Sequence, residues 1–275
     1  MSENFEKSII KKPLLTYAFE GINAGGKSTV IKEIFSWYLQ KGYSPQINKI
    51  GGLGDSARMD NLKKILEHRE RLRRGSQLTH KQEQDFLKDK IFRLAIRRQI
   101  RDYKSKEFDT NTISLLDRTP LMSWAYASSV NPENPFLDEI LEEGLGLTRR
   151  LNIDTLFLLD IDPISAYSRI ICRSLEEGEP PEKQIIYLSN LILAPGEVRQ
   201  DVIQKSLEYL TSGNSFQKKS FRIWDFMTYE EICRQSRTYF EAVQIAKEKI
   251  GIKVVRINAG KPLEQVFGSI KENLL

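Results

Sequence analysis

The chain has 275 residues, 40% hydrophobic and 29% charged, which is enough to bury a core without disulfide or metal staples. Its formal net charge of +5 suits an anionic partner, a nucleotide or a nucleic acid, and equally a plain soluble surface. Two cysteines and two histidines exclude a disulfide framework and a histidine-rich metal cluster. The opening MSENFEKSIIKK lacks the apolar core of a secretion signal, and no apolar run reaches the length of a membrane span. These features lead to the expectation of a cytoplasmic protein with no membrane partner.

Five short apolar runs read as buried strands, in chain order 14–20, 45–50, 112–117, 154–161 and 252–257. After the first, Val30, Ile31, Ile34, Phe35 and Tyr38 repeat at helical spacing. Residues 57–74 and 78–104 read as two helices split by RGSQ. Pro120 and Pro163 each start a helix just after a strand, and residues 228–249 and 262–274 form the last two helices. Strand alternating with helix predicts an α/β domain spanning residues 1–275, with a five-stranded parallel sheet covered on both faces. Residues 174–225 break this rhythm and read as a partly helical insertion packed on that domain. In such sheets a ligand sits beyond the carboxyl ends of the strands, here near residues 20, 50, 117, 161 and 257.

The stretch AFEGINAGGKSTV (18–30) fits G-x-x-x-x-G-K-[ST] between a strand and an amphipathic helix. Glycines let the backbone wrap an anion, inward N–H groups form a nest, and the helix start adds positive charge. The pattern predicts nucleoside triphosphate binding by Gly21, Asn23, Ala24, Gly25, Gly26, Lys27, Ser28 and Thr29. Lys27 reaches the β- and γ-phosphates and the Ser28 hydroxyl ligates Mg²⁺. A second constellation, SLLDRTPLMSWAYAS, ends the run at 112–117. Asp117 is placed to help hold Mg²⁺, or to cap the helix that follows; Arg118 is placed to clamp phosphate oxygens, or to form a surface ion pair.

The segments FEGINAGGKST, LLDRTPLMSWAY, DTLFLLDIDPISAYSRI and VVRINAGKPLEQV stand in the order and rough spacing of thymidylate kinases, a family that the chain resembles over most of its length outside the insertion. The resemblance implies a P-loop kinase fold with a helical lid, ATP and Mg²⁺ as donor and metal, and dTMP as the small-molecule acceptor. It places Asp117 and Arg118 near the metal and phosphates, Tyr126 beside the acceptor sugar, and Asn258, Ala259, Gly260, Lys261 and Pro262 at the adenine. Phe86 would stack on the base and Lys90 would grip the monophosphate, with Arg93 or Arg97 as the alternative cation and core packing as the alternative for Phe86. Lys49 is a candidate at the acceptor phosphate, and the family's tendency to dimerise through helices makes a homodimer an expectation.

Several positions depart from the family pattern. Asn23 stands where a carboxylate usually meets the acceptor sugar, and Ala24 where some members carry arginine. Thr119 replaces an aromatic and Met122 a serine. The mobile cation at the transferred phosphoryl group must then come from the lid, where Arg173, Lys218, Lys219 and Arg222 are available; Arg173 follows a helix bearing Arg169. A kinase acting on a deoxynucleoside or another hydroxyl acceptor would share the donor site and need a base, for which Glu20 is placed. A nucleotide-gated binding module would instead use the apolar IIYLSNLILA run as an interaction face rather than as packing. The basic stretches at 68–75 and 93–104 fit a solvated face or an anionic pocket better than a duplex-binding surface.

Overall fold

A computed structural model describes residues 9–10, 12–22, 24–50, 96–176, 194–211 and 229–274. Strands β2 (Leu15–Glu20), β3 (Ser44–Lys49), β5 (Thr112–Asp117), β6 (Thr155–Asp160) and β7 (Lys253–Asn258) form one parallel sheet in the order β3-β5-β2-β6-β7. A short antiparallel pair, β1 (Ile9–Ile10) with β4 (Phe108–Asp109), lies apart from it. The α/β class and all five sheet strands match the sequence-based expectation, with ends shifted by a residue. Pro45 is tolerated because β3 is an edge strand.

Period-two alternation divides the sheet's side chains between two apolar layers. Tyr17, Phe19, Ile113, Leu115, Phe157 and Leu159 pack with Val30, Ile31, Ile34 and Tyr38 of α1 (Lys27–Gln40). Ala18, Leu116, Leu156 and Leu158 pack with Ile96, Ile100 and Tyr103 from the helical residues 96–104. The remaining helices are α2 (Met122–Val130), α3 (Leu137–Arg149), α4 (Pro163–Glu176), α5 (Gly196–Thr211), α6 (Tyr229–Ile250) and α7 (Leu263–Lys271).

Helix α3 was not anticipated from the sequence. Its two glycines and the preceding prolines obscure an amphipathic face built on Ile140, Leu145 and Leu147. Gly144 is buried beside the Pro120–Leu121 turn, where a Cβ would make an ordinary contact 3.4 Å from the Pro120 carbonyl oxygen. Helix α2 begins at Met122, after a turn at Pro120–Leu121 rather than at Pro120 itself, and the last helix stops at Lys271. Of the expected insertion, residues 174–176 belong to α4 and residues 196–211 form α5. Helix α5 packs on α4 rather than on the sheet, with Val202 reaching the main core and the Ser168 hydroxyl donating to the Val202 carbonyl at 3.3 Å.

The chain runs from β2 to the edge strand β3, returns to β5, then crosses to the other side of β2 for β6 and β7. Sequence order reverses at β2, and sheets of this kind hold ligands beyond the carboxyl ends of the strands at that point, here β2, β5 and β6. Gly21, Arg118 and Ile161 leave the sheet there. Among the described residues, no helix is long and apolar enough to cross a membrane.

Candidate functional site

The glycine loop leaves β2 against the neighbouring strand. Gly21 has φ +139°, and a Cβ on it would lie 2.4 Å from the Leu159 carbonyl oxygen. Both facts require glycine at this position. Ala24 and Gly26 also have positive φ, +59° and +81°, and Gly26 is the N-cap of α1. The Gly25 amide donates to the Ile22 carbonyl at 3.2 Å, closing the turn. Gly26 offers no side chain to cap α1, and the first turn carries no acidic residue, so the positive helix end is left uncompensated locally. Among the described residues, no backbone carbonyl accepts from the Gly26 or Ser28 amides.

Lys27 is buried at 6% exposure and turns back into the loop, donating from Nζ to the Gly21 carbonyl at 2.5 Å and the Ile22 carbonyl at 2.8 Å. The loop therefore wraps its own ammonium group. Ser28 is half-buried at the helix start and Thr29 is exposed. Asn23 lies outside the described residues.

The end of β5 brings the second constellation beside this loop. Asp117 pairs in register with Phe19 on one side and Lys49 on the other. Lys49 is exposed at the sheet's carboxyl edge. Arg118 has φ +84°, a strained value for a residue with a side chain, and its amide donates to the Phe19 carbonyl at 3.1 Å. Thr119 follows, fully buried, and donates twice to Glu20 Oε1: from its amide at 2.5 Å and its hydroxyl at 2.7 Å. The Arg118 guanidinium donates from Nη1 to the Tyr239 hydroxyl of α6 at 2.8 Å.

Glu20 is 1% exposed, and its second oxygen has no hydrogen-bond partner. Burial holds its carboxyl above the ordinary value, against the opposing pull of Arg118, Thr119 and Lys27. For Arg118, burial disfavours the cation, but Tyr239, Glu20 and Asp117 outweigh it and raise its pKa, so it is charged at any physiological pH. Burial raises the Tyr239 hydroxyl, so that group stays protonated. The cluster is a carboxylate, two cations and a phenol held together at the strand ends.

A third element completes the rim. The Ala259 amide donates to the Asp160 carbonyl at 2.6 Å, and Asn258 Oδ1 accepts from the Gly260 amide at 3.0 Å. Lys261 and Pro262 are exposed, and Pro262 precedes α7 as its N-cap. Arg256 of β7 pairs with Asp160 Oδ2 at 2.6 Å and lies over the Phe240 ring at 5.2 Å. Arg169 of α4 donates from Nη1 to the Ala24 carbonyl at 3.3 Å and from Nη2 to the Ala259 carbonyl at 3.2 Å, joining the first loop to the last.

The structure thus gathers Gly21, Ala24–Thr29, Asp117, Arg118, Lys49 and Asn258–Pro262 along the same edge of the sheet, with Tyr126 half-buried on α2. Phe86, Lys90, Arg93, Lys218, Lys219 and Arg222 lie outside the described residues; Arg173 is described only as backbone within α4. Arg97, the alternative cation, is instead paired with Glu143 of α3. Sequence reasoning missed Tyr239, which comes from 121 residues beyond its partner, and the bridging role of Arg169. Tyr239 carries no local signal. Arg169 does, since an arginine on the helix after a strand end can reach neighbouring loops.

The fold and this edge define a class, an α/β protein with a parallel sheet and a glycine-loop-to-helix element at its reversal point. No known family model matches the sequence, and no curated protein matches it.

Proposed function

We propose that the protein is a P-loop kinase that transfers the γ-phosphoryl group of ATP to a nucleoside monophosphate, with dTMP as the leading acceptor, in cytoplasmic nucleotide biosynthesis. The observation that carries this reading is the loop from Gly21 to Gly26, which enters α1 with Lys27 buried inside it and Arg118 on the adjoining strand end.

The residues fit the groups the reading requires. Gly21 cannot carry a side chain, and the Gly26 and Ser28 amides, which meet no backbone carbonyl among the described residues, suit phosphate oxygens. Mg²⁺ is held largely by water and substrate phosphates with one or two protein ligands, so the Ser28 hydroxyl and the Asp117 carboxylate suffice. When bound, Mg·ATP supplies the transferable phosphoryl group and the metal's charge. Lys27 then exchanges the Gly21 and Ile22 carbonyls for phosphate oxygens, a swap of neutral for anionic acceptors that strengthens its hydrogen bonds. Arg118 stays charged and is oriented by Tyr239, with Glu20 holding the turn on which it sits. An acceptor phosphate is already an anionic nucleophile, so positioning and charge neutralisation are the protein's main tasks.

Calorimetry with Mg·ATP, followed by an ADP-release assay over a panel of nucleoside monophosphates and nucleosides, tests the reading. The expected results are heat on ATP addition, turnover with a pyrimidine deoxynucleoside monophosphate, and a loss of about a thousandfold in turnover for Lys27→Ala. A folded protein that gives no heat removes the ATP site. Heat without transfer to any monophosphate removes the monophosphate kinase and favours a hydroxyl acceptor or a binding module.

A further inference from the structure

We propose that Arg169 is a positioning residue that couples the glycine loop to the 258–262 loop and so sets the spacing between the two ends of a bound nucleotide. The inference rests on the ATP-site reading above. Its evidence is the treatment of two peptide units, one in each loop. The 24–25 peptide has its amide held by the Ile22 carbonyl at 3.2 Å and its carbonyl held by Arg169 Nη1 at 3.3 Å. The 259–260 peptide has its amide held by Asn258 Oδ1 at 3.0 Å and its carbonyl held by Arg169 Nη2 at 3.2 Å. Each loop fixes its own amide, and one guanidinium fixes both carbonyls.

Arg169 belongs to a third element, α4, which is itself braced. Asp162 Oδ1 accepts from the Ser165 amide at 3.1 Å in its first turn, and its Ser168 and Cys172 side chains bond to backbone carbonyls of α5. The guanidinium therefore acts as a fixed spacer. Its planar fork can donate to two acceptors in set directions, whereas an ammonium on a flexible stem has no such geometry. Ala24, at φ +59°, sits in a region that costs a residue with a side chain about 1–2 kcal/mol, so an unheld 24–25 peptide would relax. Bridged loops are preorganised to receive a ligand that spans both, and preorganisation favours such a ligand over one that fills a single loop.

The test compares affinities for Mg·ATP and for magnesium tripolyphosphate, which lacks the nucleoside, in wild type, Arg169→Lys and Arg169→Gln. Circular dichroism establishes that each variant is folded. The ratio of ATP to tripolyphosphate affinity is expected to fall about tenfold in both variants, within the range of ordinary coupling between sites. A purely electrostatic role would be kept by lysine and would weaken both ligands alike in glutamine. Lysine behaving as wild type, or equal losses for the two ligands, overturns the bridge while leaving the nucleotide site standing. Wild-type protein that binds no ATP instead overturns the site reading, and the bridge's purpose with it.

Discussion

Thr119→Val isolates the contact on which the Arg118 turn depends. Valine keeps the volume and β-branching of a residue that is fully buried, and it keeps the backbone amide that donates to Glu20 at 2.5 Å. It removes only the hydroxyl that donates to the same oxygen at 2.7 Å. A hydrogen bond to a charged group contributes about 1.5–3 kcal/mol, and Oε1 retains one donor, so the lower part of that range applies, about 2 kcal/mol. In a Glu20→Gln background the same hydroxyl meets a neutral acceptor, where a hydrogen bond contributes about 1 kcal/mol. The coupling between the two substitutions is then about 1 kcal/mol. Urea unfolding of the four proteins above the Glu20 titration, which the pH dependence of wild-type stability locates, with a common denaturant slope, measures both quantities with the carboxyl ionised. A Thr119→Val change within about 0.5 kcal/mol of wild type would match an ordinary surface substitution and refute the reasoning, as would equal costs in the two backgrounds.

Two glycines and the Glu20 carboxyl supply the further outcomes. Gly21→Ala places a Cβ 2.4 Å from a backbone oxygen at φ +139°, so the loop must shift and Mg·ATP heat is expected to vanish. Gly42→Ala, with φ +81° but nothing within 4 Å, is expected to cost about 1 kcal/mol of stability and leave ATP binding intact; equal ATP affinity in the two variants would contradict this. Glu20 supplies a pH signature. Its folded pKa lies above the ordinary 4.5, so the native state holds a proton that the unfolded state releases, and this contribution to stability is present below 4.5 and lost as pH rises through the folded value. The stability advantage of wild type over Glu20→Gln should therefore shrink as pH rises above 4.5, and a difference that grows with pH would exclude burial as the dominant influence on that carboxyl.

The central strands β2, β5 and β6 were legible because they are buried on both faces and read as continuous apolar runs such as TISLLD and TLFLLD. The glycine loop was legible because its physics is local, and every residue it needs lies within a dozen positions. Helix α3 was not legible, because its two glycines weaken the local helix signal and its apolar face is matched only by packing against α2 and α6. The partners of Arg118 divide in the same way. Asp117 is its neighbour in sequence, but Tyr239 meets it only because α6 packs across α2, where the Thr238 hydroxyl donates to the Ala125 carbonyl at 2.9 Å. Positive φ at Arg118 is equally silent in sequence, since arginine does not signal a left-handed backbone as glycine does.

Glu20 bears on the choice between the two acceptor classes. A hydroxyl acceptor needs a base that can reach its proton, and Glu20 was the placed carboxylate. In the structure one oxygen of that carboxylate takes both donors of Thr119, and the side chain is 1% exposed. Burial raises its proton affinity against the opposing pull of Arg118, Thr119 and Lys27, so it is the contacts and the burial, not proton affinity, that count against a base. The same contacts make good sense as an anchor. They hold the residue that follows Arg118, and so sustain a backbone angle that would otherwise cost about 1–3 kcal/mol. An anchor also accounts for Thr119 itself, whose hydroxyl on Cβ is placed to donate to Glu20 beside the backbone amide. A carboxyl committed to the turn that carries Arg118 supports, within the proposed kinase reading, an anionic monophosphate acceptor over a hydroxyl.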